Sequence, residues 1–450
     1  MDYDIVIIGA GPAGYVSAIR AGQLGLKTAI IEKENVGGMC LNWGCIPSKS
    51  MLESAKLFKR IKDDSKKFGI TGIDKKSVGF DWAKAAKRAS GIVKKLTTGI
   101  GFLLKKNNVE IITGEAEILD EHKVSVNNRT IESKNIILAT GASPKPVPEN
   151  IPKDVVVEIK DLFGKDDIPE NIVVFGETPL AIEMAQLFRH IGKTVTLVAP
   201  ADKIMPRADE FLSSFMLKVL KKDKIELIYH KDLSTIRYED NSLVIGDKTV
   251  SCDMVLNTQR REAIIPKSSI NLKVEDDFIS TDENCKTPYD SIYAIGDMNG
   301  KSYYAHIASA QGLFVVNRIN GVNEELNMEK YPMNMYTTPE MAQIGKTEQQ
   351  VKDLNLDYKI NEFSLAANGK ALTEGTSDGA IRIISDKKYG EVLGVQIISH
   401  NATDMISEAS AYMQLESTVY DIANTVHAHP TISEVFMEAG FDAIDSPIHK

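Results

Sequence analysis

The chain has 450 residues, of which 43% are hydrophobic and 26% charged; 53 basic against 62 acidic side chains give a formal charge of −9. At ~150 residues per domain this predicts about three globular domains, and it excludes collagen-like, wholly disordered and disulfide-framework chains. The acidic balance argues against a nucleic-acid partner, and no apolar run approaches the ~18 residues a membrane span needs.

The opening MDYDIVIIGAGPAGY has neither a basic leader nor a small-residue cleavage site, which predicts a cytoplasmic chain. In that compartment a close pair among the four cysteines points to catalysis or metal binding rather than a staple. The first strand is Asp4–Ile8, a short apolar run suited to a buried parallel strand, followed by a glycine-rich turn and a helix to about Leu24. A second strand, Thr28–Ile31, ends in Glu32. Residues 91–107 read as a basic helix and 109–140 as short strands with turns. The Pro-rich stretch 142–148 reads as a linker. Strand Ile172–Phe175, Gly176, a helix to His190 and strand Thr194–Val198 repeat the opening order, which predicts a second doubly wound unit. Ser291–Ile295 is a further strand. From about Met333 the alternation at 379–385 and 392–398, with a helix near 402–414, predicts an α+β domain. The expected class is α/β: two doubly wound, Rossmann-like nucleotide-binding domains and a C-terminal α+β domain. The boundaries are 1–145 and 266–332 for a discontinuous first domain, 146–265 for the second, and 333–450 for the third.

Gly9-x-Gly11-x-x-Gly14 lies between strand and helix, with Glu32 eighteen residues beyond Gly14. Gly9 permits the tight turn, Gly11 lets backbone approach a pyrophosphate, and Gly14 lets helix and strand pack closely. The helix N-terminus supplies N–H groups and partial positive charge, and Glu32 is placed to accept from a ribose 2′-hydroxyl. The competing reading is a glycine-rich turn without a ligand.

Cys40 and Cys45 sit in Gly-Gly-Met-Cys-Leu-Asn-Trp-Gly-Cys-Ile-Pro-Ser-Lys, residues 37–49. A helical turn or slightly more brings such a pair within disulfide range. A redox dithiol needs one accessible thiolate to attack and a second thiol to resolve the mixed disulfide. A zinc half-site and two buried structural cysteines are the alternatives. No second Cys or His pair has matching spacing, so no metal is expected. Cys252 and Cys285 lack partners and read as inert.

This stretch resembles the active-site segment of the flavin-dependent pyridine nucleotide–disulfide oxidoreductases, and its Leu-Asn and Ile-Pro-Ser-Lys wording is most similar to the dihydrolipoamide-oxidising branch. The resemblance runs over essentially the whole chain. It implies FAD as cofactor, with Thr140 and Gly141 closing the first flavin segment and Asp297, in Tyr-Ala-Ile-Gly-Asp, bonding the ribityl chain. It pairs Lys49 with Glu183 near the flavin; spacing alone suggests a surface lysine and a helix carboxylate on separate faces. The segments at 336–340 and 366–371 resemble the dimerisation domain. In His427-Ala-His429-Pro-Thr-Ile-Ser-Glu434 the resemblance makes His429 the base that deprotonates a dithiol and Glu434 its partner. It also implies that the base comes from the other subunit of a homodimer, so that two sites are shared. His427 reads as a surface residue in a turn, and His190 and His230 as surface or structural residues. The implied partners are dihydrolipoamide or a lipoyl-carrier domain, within a 2-oxoacid dehydrogenase complex. A disulfide or metal-ion reductase running the other way, and a docking subunit with little turnover, are the competing functions.

The second nucleotide unit departs from the family pattern. Its turn, Gly176-Glu177-Thr178-Pro179-Leu180-Ala181, places Thr178 where the second glycine belongs and adds the charge of Glu177. Ala199 stands where NAD-using members carry an acidic residue, and Asn257–Ala263 departs from Gly-Arg-Arg-Pro-Asn at Gln259 and Glu262. A lost charge-assisted ribose contact costs about 1.5–3 kcal/mol. The expectation is weak NAD binding, with electrons passed to NAD or to another acceptor.

Overall fold

The structure, a computed structural model, describes residues 1–450. It resolves into two compact units: Met1–Pro169 with Leu256–Leu326, and Glu170–Val255 with Asn327–Lys450.

In the first unit the apolar run Tyr3–Ile8 is the central strand, parallel to Thr28–Glu32 on one side and to Arg129–Leu138 on the other. Its side chains alternate between two cores. Ile5, Ile7, Ile30 and Ile137 serve one face, and Val6, Ile8, Ile31, Ile136 and Leu138 the other. A strand covered on both faces must be apolar throughout, which is why the period-2 polar alternation is missing here. Each fully buried isoleucine contributes about 2 kcal/mol. The sheet runs in the order 267–268, 116–120, 123–126, 129–138, 3–8, 28–32, 110–113, and Ile292–Ala294 adds a further parallel strand beside 129–138. The ten-residue strand Arg129–Leu138 therefore joins two styles: its first half pairs antiparallel with Lys123–Val126 and its second half lies in the parallel sheet.

Helix Pro12–Gln23 starts with proline at its first turn, where a missing N–H costs nothing. It buries Ala13, Gly14, Ser17, Ala18 and Ala21, a stripe of small residues that admits helix Ala305–Ile319 closely. The expected basic helix begins earlier than its charge pattern suggests. It spans Trp82–Lys106, and Asp81 caps it by accepting from the Lys84 N–H. The Pro-rich stretch is not simply a linker: Ala142–Pro144 is a short strand antiparallel to Arg261–Ala263.

The second unit opens with parallel strands in the order Glu226–Tyr229, Thr194–Ala199, Asn171–Phe175. Helix Pro179–His190 is buried on nearly every side, including Glu183 and Gln186. A three-stranded antiparallel meander, 237–239, 242–245 and 248–251, follows. The remainder is a five-stranded antiparallel sheet in the order 333–335, 340–345, 392–399, 380–386, 358–364. Helices Ala402–Gln414 and Glu434–Ala443 pack on it around Ile344, Ile381, Ile383, Val395, Ile406 and Phe436. No helix is long and apolar enough to cross a membrane.

Candidate redox site

The glycine turn after the first strand is built as the sequence requires. A Cβ on Gly14 would lie 1.9 Å from the Gly9 carbonyl oxygen, so only glycine lets helix and strand meet there. A Cβ on Gly11 would meet nothing of the protein nearer than 4.0 Å, which leaves that backbone face open to a ligand. Gly11 is the N-cap of helix Pro12–Gln23 and no side chain caps it, so its first N–H groups remain available to phosphate oxygens. Glu32 ends the second strand; its Oε2 accepts from the Ala10 N–H at 2.7 Å and its Oε1 from the Glu34 N–H at 2.9 Å. The carboxylate is thereby held beside the turn, with lone pairs left for a ribose. These features fit FAD.

The cysteine segment is fastened to that same turn. The Gly37 N–H donates to the Ala10 carbonyl at 2.8 Å. Gly38, at φ +57, lies so close to Gly11 that a Cβ on it would sit 2.6 Å from Gly11 Cα. Cys40 lies in the short helix Gly38–Asn42, the helix is interrupted at Trp43-Gly44, and Cys45 opens helix Cys45–Asp64. The two are joined as a disulfide with Cα atoms 4.6 Å apart. The link therefore crosses a break between two helices rather than one continuous turn. Cys45 stands at the positive end of a 20-residue helix, which favours negative charge on its sulfur. Lys49 is one turn further along the same helix.

Thr140 and Gly141 follow the strand Arg129–Leu138; the Thr140 hydroxyl donates to the Ile264 carbonyl at 2.5 Å, and Gly141 has nothing within 4 Å of its Cβ direction. Asp297 follows Ile292–Ala294 in a 3-10 turn and pairs with Arg261 Nη1 at 2.5 Å. Arg261 was not singled out from the sequence as part of the site, because nothing local marks a pairing between positions 36 apart.

Among the remaining expected residues, Glu183, His429 and Glu434 belong to the second unit. Glu183 is 2% exposed and its Oε1 accepts from the Tyr336 N–H at 2.8 Å. His429 and Glu434 are brought together: Nδ1 of the imidazole is 2.8 Å from Glu434 Oε1, while Oε2 accepts from the Thr431 N–H at 2.7 Å. The His429 side chain is 80% exposed, leaving Nε2 free to meet a substrate. Burial pushes the Glu434 carboxyl up, but the Thr431 N–H and His429 outweigh it and hold it below the usual range. The His429–Pro430 peptide is cis.

His427 is not the surface residue expected. Its side chain is 6% exposed and pairs with Glu408, 19 residues earlier, a partner that only the tertiary fold supplies. His190 is buried beside Asp223. Burial pushes the Cys252 thiol up to about 12 and the Cys285 thiol up to about 11, as inert thiols require. In the second nucleotide unit Thr178 is the N-cap of helix Pro179–His190 and Ala199 is fully buried at the end of its strand, so the departures from the family pattern do lie at the carboxyl ends of the parallel strands.

Residues 3–312 match the pyridine nucleotide-disulphide oxidoreductase family, and residues 331–440 match its dimerisation domain. A dihydrolipoyl dehydrogenase of Bacillus subtilis is 34% identical over all of this chain and 99% of its own. One from Geobacillus stearothermophilus is 35% identical over 100% and 98%. One from Mycoplasma genitalium is 34% identical over 99% of each. Among solved structures, LpdA from Mycobacterium tuberculosis superposes with a TM-score of 0.87 at 22% identity, over 97% of this chain and 99% of that one. The HOCl-induced flavoprotein disulfide reductase RclA from Escherichia coli, in its Cu(II) complex, gives 0.84 at 22%, over 98% and 99%. A disulfide seated on a dinucleotide turn, and a sequence match that spans the rest of the chain, lead to one conclusion: the chain is an oxidoreductase of the pyridine nucleotide-disulphide oxidoreductase family.

Proposed function

We propose that the chain is a flavoprotein that oxidises dihydrolipoamide to lipoamide through Cys40–Cys45 and FAD, with NAD as the electron acceptor. The observation that carries this reading is the coexistence of a disulfide fastened to the dinucleotide turn and an exposed His429 oriented by a buried-side carboxylate.

The chemistry follows from the residues. The partner subunit's His429 takes a proton from one substrate thiol, because only the thiolate attacks a disulfide. Glu434 of the same chain as that base orients the ring and stabilises the imidazolium. The thiolate attacks the Cys40 sulfur, the Cys40–Cys45 bond breaks, and its electron pair leaves on Cys45 at the helix N-terminus. The second substrate thiol, deprotonated in turn, displaces Cys40 and closes lipoamide, so two electrons now rest on the cysteine pair. The chemistry supplied by bound FAD is the transfer of those two electrons onward to a nicotinamide. Gly9, Gly11, Gly14, Glu32, Thr140, Gly141 and Asp297 would hold it, and the family resemblance assigns Lys49 and Glu183 to its surroundings. Two-fold pairing of the chain gives two such shared sites. Cytoplasmic lipoyl-carrier domains of a 2-oxoacid dehydrogenase complex are the proposed source of the dithiol.

A second reading concerns only the acceptor. Thr178 and Ala199, with no carboxylate at the strand end, favour weakened NAD binding and another electron acceptor. Anaerobic mixing of the oxidised enzyme with dihydrolipoamide, then with NAD, tests both. Flavin reduction supports the dithiol step, and its absence overturns it. Rapid reoxidation by NAD favours the first acceptor, and persistence of reduced flavin the second.

A further inference from the structure

The loop that carries His429 holds a second histidine–carboxylate pair which the mechanism above leaves unused. His427 Nε2 lies 2.6 Å from Glu408 Oε1, and Nδ1 lies 3.0 Å from the Thr425 carbonyl oxygen. A carbonyl accepts only, and so does an ionised carboxylate. Both ring nitrogens therefore face acceptors, and only the imidazolium, with an N–H on each nitrogen, satisfies both at once. The ring lies parallel to that of Phe436, with an interplanar angle of 4° and centroids 6.3 Å apart. Phe436 is fully buried, two residues into the helix that Glu434 begins. Glu408 also accepts from the Tyr412 hydroxyl at 3.2 Å. His427 is thus fastened to helix Ala402–Gln414 through Glu408, to its own approach segment through Thr425, and against helix Glu434–Ala443 through Phe436. Between the two histidines the Thr431 hydroxyl donates to the Ala428 carbonyl at 2.7 Å, so the intervening residue is pinned as well.

We propose that the protonated His427–Glu408 pair is the positioning device of the dithiol-oxidising base: it anchors the inner end of the loop so that His429 meets Glu434, and it places a fixed positive charge behind that carboxylate. This rests on the assignment of His429 as the base. The charged groups acting on His427 are Glu408 from one helix and Glu434 from another; behind them Tyr412 bonds Glu408, and Asp421 of the helix Val419–Asn424 acts on Tyr412. Glu408 and Glu434 both favour the cation. Glu408 leads in holding the His427 imidazolium above the usual histidine range against its burial, with Glu434 adding to it, and His427 in turn helps hold Glu434 down. His427 and Glu408 do not touch substrate in this account; they act through Glu434 and His429.

The test is a double-mutant cycle on the full-length, flavin-loaded enzyme. Glu408→Gln keeps the shape and removes the charge. His427→Gln keeps a donor toward Glu408 and removes the cation. Each is combined with Glu434→Gln, and the single-turnover rate of flavin reduction by dihydrolipoamide is measured, with flavin content and thermal midpoint as controls on folding. Either single variant is expected to slow that step ~10–100-fold, the scale of a misplaced catalytic group. The double variants are expected to be no slower than Glu434→Gln alone, because the pair acts through that carboxylate. Wild-type rates in the single variants, or losses that multiply in the doubles, overturn the proposal. So does a loss that tracks flavin content or melting, since the pair would then serve the fold at large. A wild-type flavin that dihydrolipoamide does not reduce is a separate outcome: it removes the assignment of His429, and the proposal with it.

Discussion

Alanine at Gly38 and alanine at Gly11 separate two demands that the sequence pattern merges. At Gly38 the new Cβ would stand 2.6 Å from Gly11 Cα and 3.1 Å from Gly11 N, both backbone atoms that no rotamer change can move aside. Carbon atoms rest at about 3.5–4.0 Å, so the two segments must part by roughly 1 Å. Overpacking of that kind costs about 1–3 kcal/mol. Gly38 also has φ +57, a conformation that costs an L-residue about 1–2 kcal/mol. The sum, about 2–5 kcal/mol, falls on the protein itself, and it pulls the Cys40 segment off the turn. Gly11 has an ordinary φ of −70 and open space to 4.0 Å. Alanine there leaves the flavin-free protein as stable as before, or raises its stability by about 0.4–1 kcal/mol through the unfolded chain. Its cost falls on the ligand, because the methyl occupies the approach of the pyrophosphate. A loss of ~100-fold or more in FAD affinity, about 2.7 kcal/mol, is expected. Urea unfolding of the flavin-free variants and fluorescence titration with FAD measure the two quantities. Equal destabilisation of the flavin-free protein by both substitutions, or wild-type FAD affinity in Gly11→Ala, refutes the reasoning.

Other expectations follow from the same geometry. Glu434→Gln leaves one acceptor oxygen facing two donors, the His429 ring and the Thr431 N–H. Losing a charge-assisted bond of about 1.5–3 kcal/mol slows dithiol-driven flavin reduction ~10–150-fold in stopped flow, and an unchanged rate contradicts the orienting role. The raised thiols predict a labelling pattern. With values of about 12 and 11, Cys252 and Cys285 are neutral at pH 8, carrying roughly one thiolate in 10³–10⁴ molecules, and they become reactive only as pH climbs toward those values. Iodoacetamide at pH 8 therefore adds nothing to the oxidised native protein and two groups after reduction; mass spectrometry showing a third counts against their inertness. Thr178→Gly with Ala199→Glu restores the family's turn and ribose carboxylate, and is expected to tighten NAD binding ~10–100-fold in a direct titration. Unchanged affinity ends the sequence explanation of weak NAD binding.

The parts of the fold legible in the sequence are those specified locally. The buried parallel strands at 3–8, 28–32, 171–175 and 194–199 announce themselves as short apolar runs, the first and third of them ending at a glycine. Helix Cys45–Asp64, which buries Met51, Leu52, Ala55 and Phe58, was not among the expected elements, because the cysteine motif occupies its first turn. Helix Glu210–Lys222, capped by Asp209 accepting from the Phe211 N–H, was not among the expected elements. What could not be read depends on distant partners. Strand Arg129–Leu138 has no single pattern, because its first half pairs antiparallel and its second half parallel within the same sheet. The pairing of 142–144 with 261–263 closes over more than a hundred residues. His427 turns inward because Glu408 and Phe436 wait for it, and neither is marked by spacing. In the candidate site the glycines, cysteines and the His429–Glu434 spacing were visible, whereas the contact of Arg261 with Asp297 and that of Gly38 with Gly11 were products of folding.

The most direct test of the account is anaerobic. Oxidised, flavin-loaded enzyme is mixed with dihydrolipoamide and the visible spectrum is followed, beside a Cys45→Ser variant that cannot form the disulfide. The account predicts rapid reduction of the wild-type flavin and none in the variant. A wild-type flavin that stays oxidised, or a variant reduced as fast as the wild type, contradicts the claim that electrons from this dithiol enter through Cys40–Cys45.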